Sequence, residues 1–254
     1  MTAAKAYGDL KAEICIPARV LDGTGRWQKI QLAVAEEHSL EIFLDGVSVC
    51  SLACTPTYLE ELALGRLFSE RLLWSVGDVE EIVTDRLGRS VRLTLRQDIR
   101  KLSVSSNPVA APLLPVRPIP WKTEWVKALG HKMQSDTLLY QKTRSVHSCF
   151  LAREGEILFS AEDISRHNAL DKVIGWALRQ KIPLFSCMLY TSGRVPADMA
   201  DKVIRAGVPV LISKAPPTAQ ALALAEKYRL TLIGMKKDGT ILCYYQPQEA
   251  DNGM

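Results

Sequence analysis

From residue 183 onward the chain alternates between short apolar runs and amphipathic ones, and this alternation restricts the fold more than any other feature. Residues 183–190 read as a strand, 196–206 as a helix, 208–212 as a strand and 218–228 as a helix. Two more strands, 230–235 and 241–245, follow and turn at Asp238-Gly239. Strands joined through helices run parallel, and a parallel sheet must be covered on both faces. The same half opens with a helix over 121–140, a hairpin of 145–152 and 157–160 around Glu154-Gly155, and a helix that begins near Ser165.

The first half has a different texture. Residues 30–53 read as strands, with Leu40, Ile42 and Leu44 alternating with polar neighbours and Asp45-Gly46 marking a hairpin turn. Thr57 and Glu60 have the spacing of a capping box, so a helix is expected from Thr57 with Leu59, Leu62, Ala63, Leu67 and Leu72 on one face. Residues 79–83 and 91–95 form a further strand pair turned at Gly88. Residues 103–120 then hold five prolines and three serines without periodicity, which is the composition of a connector. The expected fold class is α/β: a smaller α+β domain over 1–120 ending in this Pro-rich linker, then an α/β domain with a mixed, largely parallel sheet over 121–254.

Bulk properties exclude several classes. The hydrophobic content of 47% supports a core without staples. No apolar run has membrane-spanning length and residues 1–11 lack a secretory pattern, so a cytoplasmic protein with no membrane association is expected. The net charge of +4 suits an anionic small ligand and is too weak to argue for nucleic acid. The six cysteines form no Cys-x-x-Cys pair, and reduced buried thiols are the plain reading. Cys50 and Cys54 are close in sequence but have no second ligand pair for zinc.

Candidate chemistry gathers in four places. Residues 160–178 crowd Glu162, Asp163, Arg166, His167, Asp171 and Lys172 into the start of a helix, where unpaired N–H groups and the dipole favour an anion. Ser192, Gly193 and Arg194 lie between a strand and a helix opened by Pro196, and Lys214 and Thr218 occupy the next such connection. In an open α/β sheet both loops sit at the carboxyl ends of strands, where ligands bind. Met235, Lys236, Lys237, Asp238, Gly239 and Thr240 make a basic hairpin tip. Each has a structural alternative: Asp163 and Ser165 as caps, Arg194 as a solvated side chain, His147 as an interior histidine, and His167 as either an acid–base group or a contact to Asp171 four positions on. Arg194, Lys214 and Lys236 are expected to meet phosphates, with His167 and Asp163 in the same crevice.

The stretch Glu162-Asp163-Ile164-Ser165-Arg166-His167-Asn168-Ala169-Leu170-Asp171-Lys172 closely resembles the signature of the formate dehydrogenase accessory sulfurtransferases, the FdhD family. Thr55-Pro56 through Gly65, His147, Thr191 to Arg194 with Met199, Pro217-Thr218 with Leu224-Ala225, and 230–234 also fit its motifs. The resemblance implies a cytidine-deaminase-like layered α/β domain beside a smaller one. It also implies binding of the molybdenum bis(molybdopterin guanine dinucleotide) cofactor, with 235–240 as the cofactor-binding segment. Formate dehydrogenase is the implied client and a cysteine desulfurase the implied sulfur donor; a homodimer is a separate expectation. The chain departs from that pattern at one point. Where the family carries a Cys-x-x-Cys, this chain reads Leu102-Ser103-Val104-Ser105-Ser106-Asn107-Pro108, and no cysteine occurs between Cys54 and Cys149. Serine forms no persulfide, so cysteine-based relay is not expected. The alternative is a guanine-nucleotide-binding regulatory or interaction module without sulfurtransferase activity.

Overall fold

The computed structural model describes residues 10–99 and 112–248. The chain begins with a two-stranded antiparallel ribbon, β1 (Glu13–Leu21) and β2 (Trp27–Ala35). A four-stranded sheet follows, built from β3 (His38–Leu44), β4 (Val47–Cys54), β5 (Val79–Thr84) and β6 (Ser90–Leu95) in the order β4-β3-β6-β5. The turn between β3 and β4 places Asp45 and Gly46 at φ 49° and 81°, the left-handed pair that the Asp-Gly dipeptide tolerates. Helix α1 (Leu59–Ser69) covers this sheet through Leu59, Leu62 and Leu67 against Leu40, Ile42, Val91 and Leu93.

The second unit is a six-stranded mixed sheet in the order β12-β11-β10-β9-β7-β8. Its elements are α2 (Thr123–Ser135), α3 (Leu138–Thr143), β7 (His147–Arg153), β8 (Glu156–Asp163), α4 (Arg166–Arg179), β9 (Met188–Thr191), α5 (Ala197–Arg205), β10 (Val210–Ser213), α6 (Ala219–Lys227), β11 (Thr231–Met235) and β12 (Ile241–Tyr245). β9, β10 and β11 are mutually parallel, while β7 and β12 run the other way. One sheet face packs Leu151, Leu189, Leu211 and Leu232 against α4, α5 and α6; the other packs Phe150, Tyr190, Ile212 and Ile233 against Val126, Leu129 and Met133 of α2. Among the described residues no helix is long and apolar enough to cross a membrane.

The two units meet where α1 crosses α4. A Cβ added to Gly65 would sit 1.8 Å from the Asp171 carbonyl oxygen, and one added to Gly175 would sit 1.8 Å from that of Glu61. The two backbones therefore touch, each helix offering a glycine to a carbonyl of the other. The clash involves main chain, so no side-chain rotation relieves it.

Several sequence expectations are corrected. α1 starts at Leu59 behind Tyr58, which lies in the left-handed region without a side-chain cap. The Thr57–Glu60 capping box does not form. Glu60 instead accepts from Arg179 Nη1 at 2.7 Å and from Thr84 Oγ1 at 3.1 Å, so tertiary ion pairing overrides the local cap. The expected helix over 121–140 is two helices, α2 and α3. The ribbon strand β1 was not expected at all. Of the Pro-rich stretch, 112–120 is described and packs down: Val116 is 5% exposed and its N–H donates to the Tyr228 carbonyl at 2.9 Å. The remainder of that stretch up to 111 lies outside the described residues.

Replacing Gly65 or Gly175 by Ala is expected to destabilise the protein by about 3 kcal/mol, the upper end of ordinary overpacking, measured by urea unfolding. A loss below about 1 kcal/mol would show that the helices separate cheaply.

Candidate functional site

β8 ends in the same direction as β9, β10 and β11, because β7 is antiparallel to both β8 and β9. One edge of the sheet therefore gathers the loops that follow Asp163, Thr191, Ser213 and Met235, together with the start of β7 at His147. A cleft of about 340 Å³ opens there, lined by Thr137, Tyr140, Arg144, His147, Ser148, Ser192, Lys214 and Lys237 among others. A second, more open cleft of about 480 Å³ adjoins it, lined by His131, Gln134, Ser135, Met235, Lys237, Asp238 and Gly239. Lys237 belongs to both.

The first cleft is cationic around an aromatic ring. The Arg144 guanidinium carbon lies 5.1 Å and the Lys214 ammonium 5.9 Å from the Tyr140 ring centroid. Cations at that range are attracted to the π face. Arg144 ends α3 in the left-handed region at φ 58°, its N–H donating to the Tyr140 carbonyl at 2.8 Å. α3 has only six residues, too few to persist alone. Glu162 holds it: Oε2 accepts the Leu139 N–H and Oε1 the Tyr140 N–H, both at 2.9 Å. The opposite wall is stitched to the sheet. Ser192 exchanges two 2.9 Å bonds with the Ser148 backbone, and the Lys214 N–H donates to the Thr191 carbonyl at 3.0 Å. Burial, and then the Arg166 charge, push the His147 pKa below the ordinary imidazole value. His147 is the one imidazole in the lining of this cleft, and these two causes disfavour its charged form.

The signature stretch divides into structural and cleft-facing residues. Asp163 does not line the cleft: it is 0% exposed. Its Oδ1 accepts from the Ser165 N–H and the Asn168 side chain, both at 3.0 Å. Its Oδ2 accepts from the Thr55 N–H at 3.0 Å and pairs with Lys172 at 2.6 Å. Lys172, also fully buried, donates to Thr55 Oγ1 at 2.7 Å. Asp171 is not a partner of His167: it is buried against Lys202 at 2.6 Å and Ser69 at 2.8 Å, tying α4 to α5 and α1. His167 instead faces Asp198, Nε2 to Oδ2 3.6 Å, and burial lowers its pKa more than Asp198 raises it. Arg166 lays its stem against Gly193, where an added Cβ would come within 2.9 Å. Its Nε is buried without a hydrogen-bond partner in the protein.

The remaining expected residues separate likewise. Lys214 and Ser192 line the first cleft, and Met235, Asp238 and Gly239 the second. Lys237 takes the position expected of Lys236. Lys236 and Arg194 are exposed and lie outside the lining of both clefts. Thr218 caps α6, accepting the Ala221 N–H at 3.3 Å, which engages its hydroxyl. Thr240 and Gly239 shape the hairpin tip: the Thr240 N–H donates to Asp238 Oδ1 at 2.9 Å, which lowers the Asp238 pKa, and Gly239 takes φ 85°. Tyr140 and Arg144 were not anticipated as site residues, and the lone tyrosine and arginine carry no spacing signal that marks them.

All six cysteines are among the described residues, and none lines either cleft. Cys54, Cys149 and Cys187 are fully buried, and burial pushes the Cys54 thiol up to about 12 and the Cys149 thiol up as well. Cys15 and Cys243 are exposed, within β1 and β12.

The architecture is thus a mixed α/β protein with a cationic, aromatic-floored cleft at the carboxyl edge of its larger sheet. Comparison with known sequences places it more closely: the FdhD/NarQ family profile matches residues 35–251, and the chain belongs to that family. The Sulfur carrier protein FdhD of Shouchella clausii is 28% identical over 244 residues, covering 88% of this chain and 91% of that one. Protein FdhD of Methanocaldococcus jannaschii is 33% identical over 219 residues, covering 83% and 87%. A crystal structure of a candidate formate dehydrogenase accessory protein from Desulfotalea psychrophila superposes with a TM-score of 0.79 at 26% identity, covering 94% of this chain and 99% of that one.

Two outcomes follow. Asp163→Ala is expected to cost about 3–5 kcal/mol in unfolding free energy, because it strands the buried Lys172 charge. Lys214→Ala and Lys237→Ala are each expected to weaken pyrophosphate binding about tenfold, about 1.4 kcal/mol, by calorimetry with little change in melting temperature. Arg194→Ala and Lys236→Ala are expected to have the smaller effect. The reverse order would move the anion site to the outer loops.

Proposed function

We propose that this chain binds the guanine dinucleotide form of the molybdenum cofactor as cargo, in the cleft at the carboxyl edge of its larger sheet, and supports its delivery to formate dehydrogenase. The observation that carries this reading is a cleft lined by Arg144, Lys214 and Lys237, with Arg144 and Lys214 set against the Tyr140 ring. Three cations suit a pyrophosphate, and an aromatic face flanked by them suits a purine. The adjoining cleft, continuous through Lys237, gives a two-part ligand room beyond one nucleotide. The solved relative from Desulfotalea psychrophila, described as a formate dehydrogenase accessory protein, supports formate dehydrogenase as the client.

Sulfur relay is not part of the proposal. A persulfide carrier needs an accessible thiolate near its acceptor. Here the cleft has no cysteine in its lining, and Cys54 is buried with its pKa raised to about 12. That observation also favours a second reading, a guanine-nucleotide-binding regulatory module that uses the same cleft without molybdenum and without a cysteine desulfurase partner. We assign the activity to the cytoplasm, whose reducing conditions suit buried thiols such as Cys54, Cys149 and Cys187.

Calorimetry with GDP and then with the isolated molybdenum cofactor separates the two. Tighter binding of the cofactor than of GDP is the expected result; GDP binding without cofactor binding selects the module. Incubation with a cysteine desulfurase and labelled cysteine is expected to leave no persulfide on the chain, and label on any cysteine would restore the relay. A bound phosphate stabilises the protonated form of His147, so binding takes up a proton and tightens as pH falls. The affinity ratio of wild type to His147→Gln is therefore expected to rise between about pH 8 and about pH 5. A flat ratio would remove His147 from the phosphate environment.

A further inference from the structure

A groove of about 340 Å³ lies at the edge of the larger sheet opposite the cleft. Phe185 precedes β9 and Gly207 precedes β10, so these two wall residues stand at the amino ends of strands. The smaller unit adds Phe68, Leu73 and Trp74 from the end of α1 onward, and the Pro-rich connector adds residues 112–117. The connector wall is anchored. Val116 is buried and its N–H donates to the Tyr228 carbonyl at 2.9 Å, while Pro112 and Pro115 fix φ on either side of Leu114. A preformed wall spares an occupant the cost of ordering it.

The mouth of this groove leaves apolar surface in water. Trp74 is 54%, Phe185 62% and Leu114 71% exposed. Single exposed hydrophobic residues are ordinary, but a contiguous group marks an interaction site. Every charged residue of the lining is an arginine, Arg71, Arg117 or Arg205, and no lysine, aspartate or glutamate joins them. Aromatic residues and arginine enriched, lysine and acids depleted, is the composition of a protein interface. The nearby acids are engaged outside the lining: Asp201 pairs with Arg205, and Glu70 with Arg66 at 3.4 Å. Arg117 is exposed and makes no ion pair among the described residues. A carboxylate brought to this mouth therefore meets an unanswered guanidinium. A small ligand inside the groove would leave Trp74, Phe185 and Leu114 wet, whereas a chain segment laid across the mouth covers them.

We propose that this groove docks a segment of a partner protein that carries an aromatic or branched aliphatic anchor flanked by acidic residues. The anchor enters the groove beside Trp74 and Phe185, and a flanking carboxylate meets Arg117. The site is at the other edge of the sheet from the cleft, so both can be filled at once, and it does not depend on what the cleft binds.

Selection of a displayed library of short random peptides on the full chain tests this. The enriched peptides are expected to share an apolar anchor with aspartate or glutamate beside it. One of them, synthesised with a fluorophore, is then titrated with the chain and followed by anisotropy. Trp74→Ala and Arg117→Glu are each expected to weaken its binding about tenfold or more. Both side chains are exposed, so the melting temperature is expected to stay unchanged. Arg117→Glu is also expected to invert the charge preference: the same peptide with lysine in place of its acids should bind this variant better than the original does. A purely structural role for Arg117 would not produce that inversion. Enriched peptides without acids overturn the proposal, as does binding indifferent to both substitutions. Failure to enrich any peptide, with decanoate binding in the groove instead, overturns it in favour of a small amphipathic carboxylate, and failure of both overturns it outright.

Discussion

Everything in this molecule that bears on function hangs from the contact between α1 and α4. Gly65 and Gly175 let two backbones touch, and a buried ion pair flanks the contact on the side of the cleft. Asp163 and Lys172 are both fully buried and both reach Thr55, the residue that follows β4. Charges removed from water are tolerated only when their remaining hydrogen-bonding capacity is filled, and here it is filled from both units of the fold. The pair fixes where β8 ends and α4 begins, and with it the position of Glu162, one residue earlier.

Glu162 connects that scaffold to the chemistry. Its carboxylate holds the first turn of a six-residue helix, which carries Tyr140 and ends at Arg144. One short motif thus does two jobs: its buried acids and lysine lock the units together, and its first glutamate sets one wall of the cleft. The opposite wall comes from the connections after β9, β10 and β11, whose parallel arrangement brings Ser192, Lys214 and Lys237 to one edge.

Much of the strand and turn pattern in both units was legible in the sequence, because its signals are local. Asp45-Gly46, Gly88, Glu154-Gly155 and Asp238-Gly239 all mark turns whose glycines take positive φ. The strand–helix alternation after residue 183 gives three parallel strands and two connecting helices, α5 and α6. The ribbon's first strand was legible in principle, since Ile14, Ile16, Ala18 and Val20 alternate, but it buries nothing and breaks the rule that strand patterns point to a core. The Thr57 cap failed because Glu60 has a better partner in Arg179, more than a hundred residues away. Within the site, the loops could be placed and the choice among neighbours could not. Lys237 rather than Lys236 reaches the cleft, and Asp163 turns inward, because both depend on tertiary packing that no spacing records.

The most direct measurement of the central claim is a crystal structure of the protein grown with GDP. Phosphate density among Arg144, Lys214 and Lys237, with the base against Tyr140, is the predicted result. Nucleotide held instead by the outward-facing Arg194 and Lys236, with the cleft filled only by solvent, would contradict it.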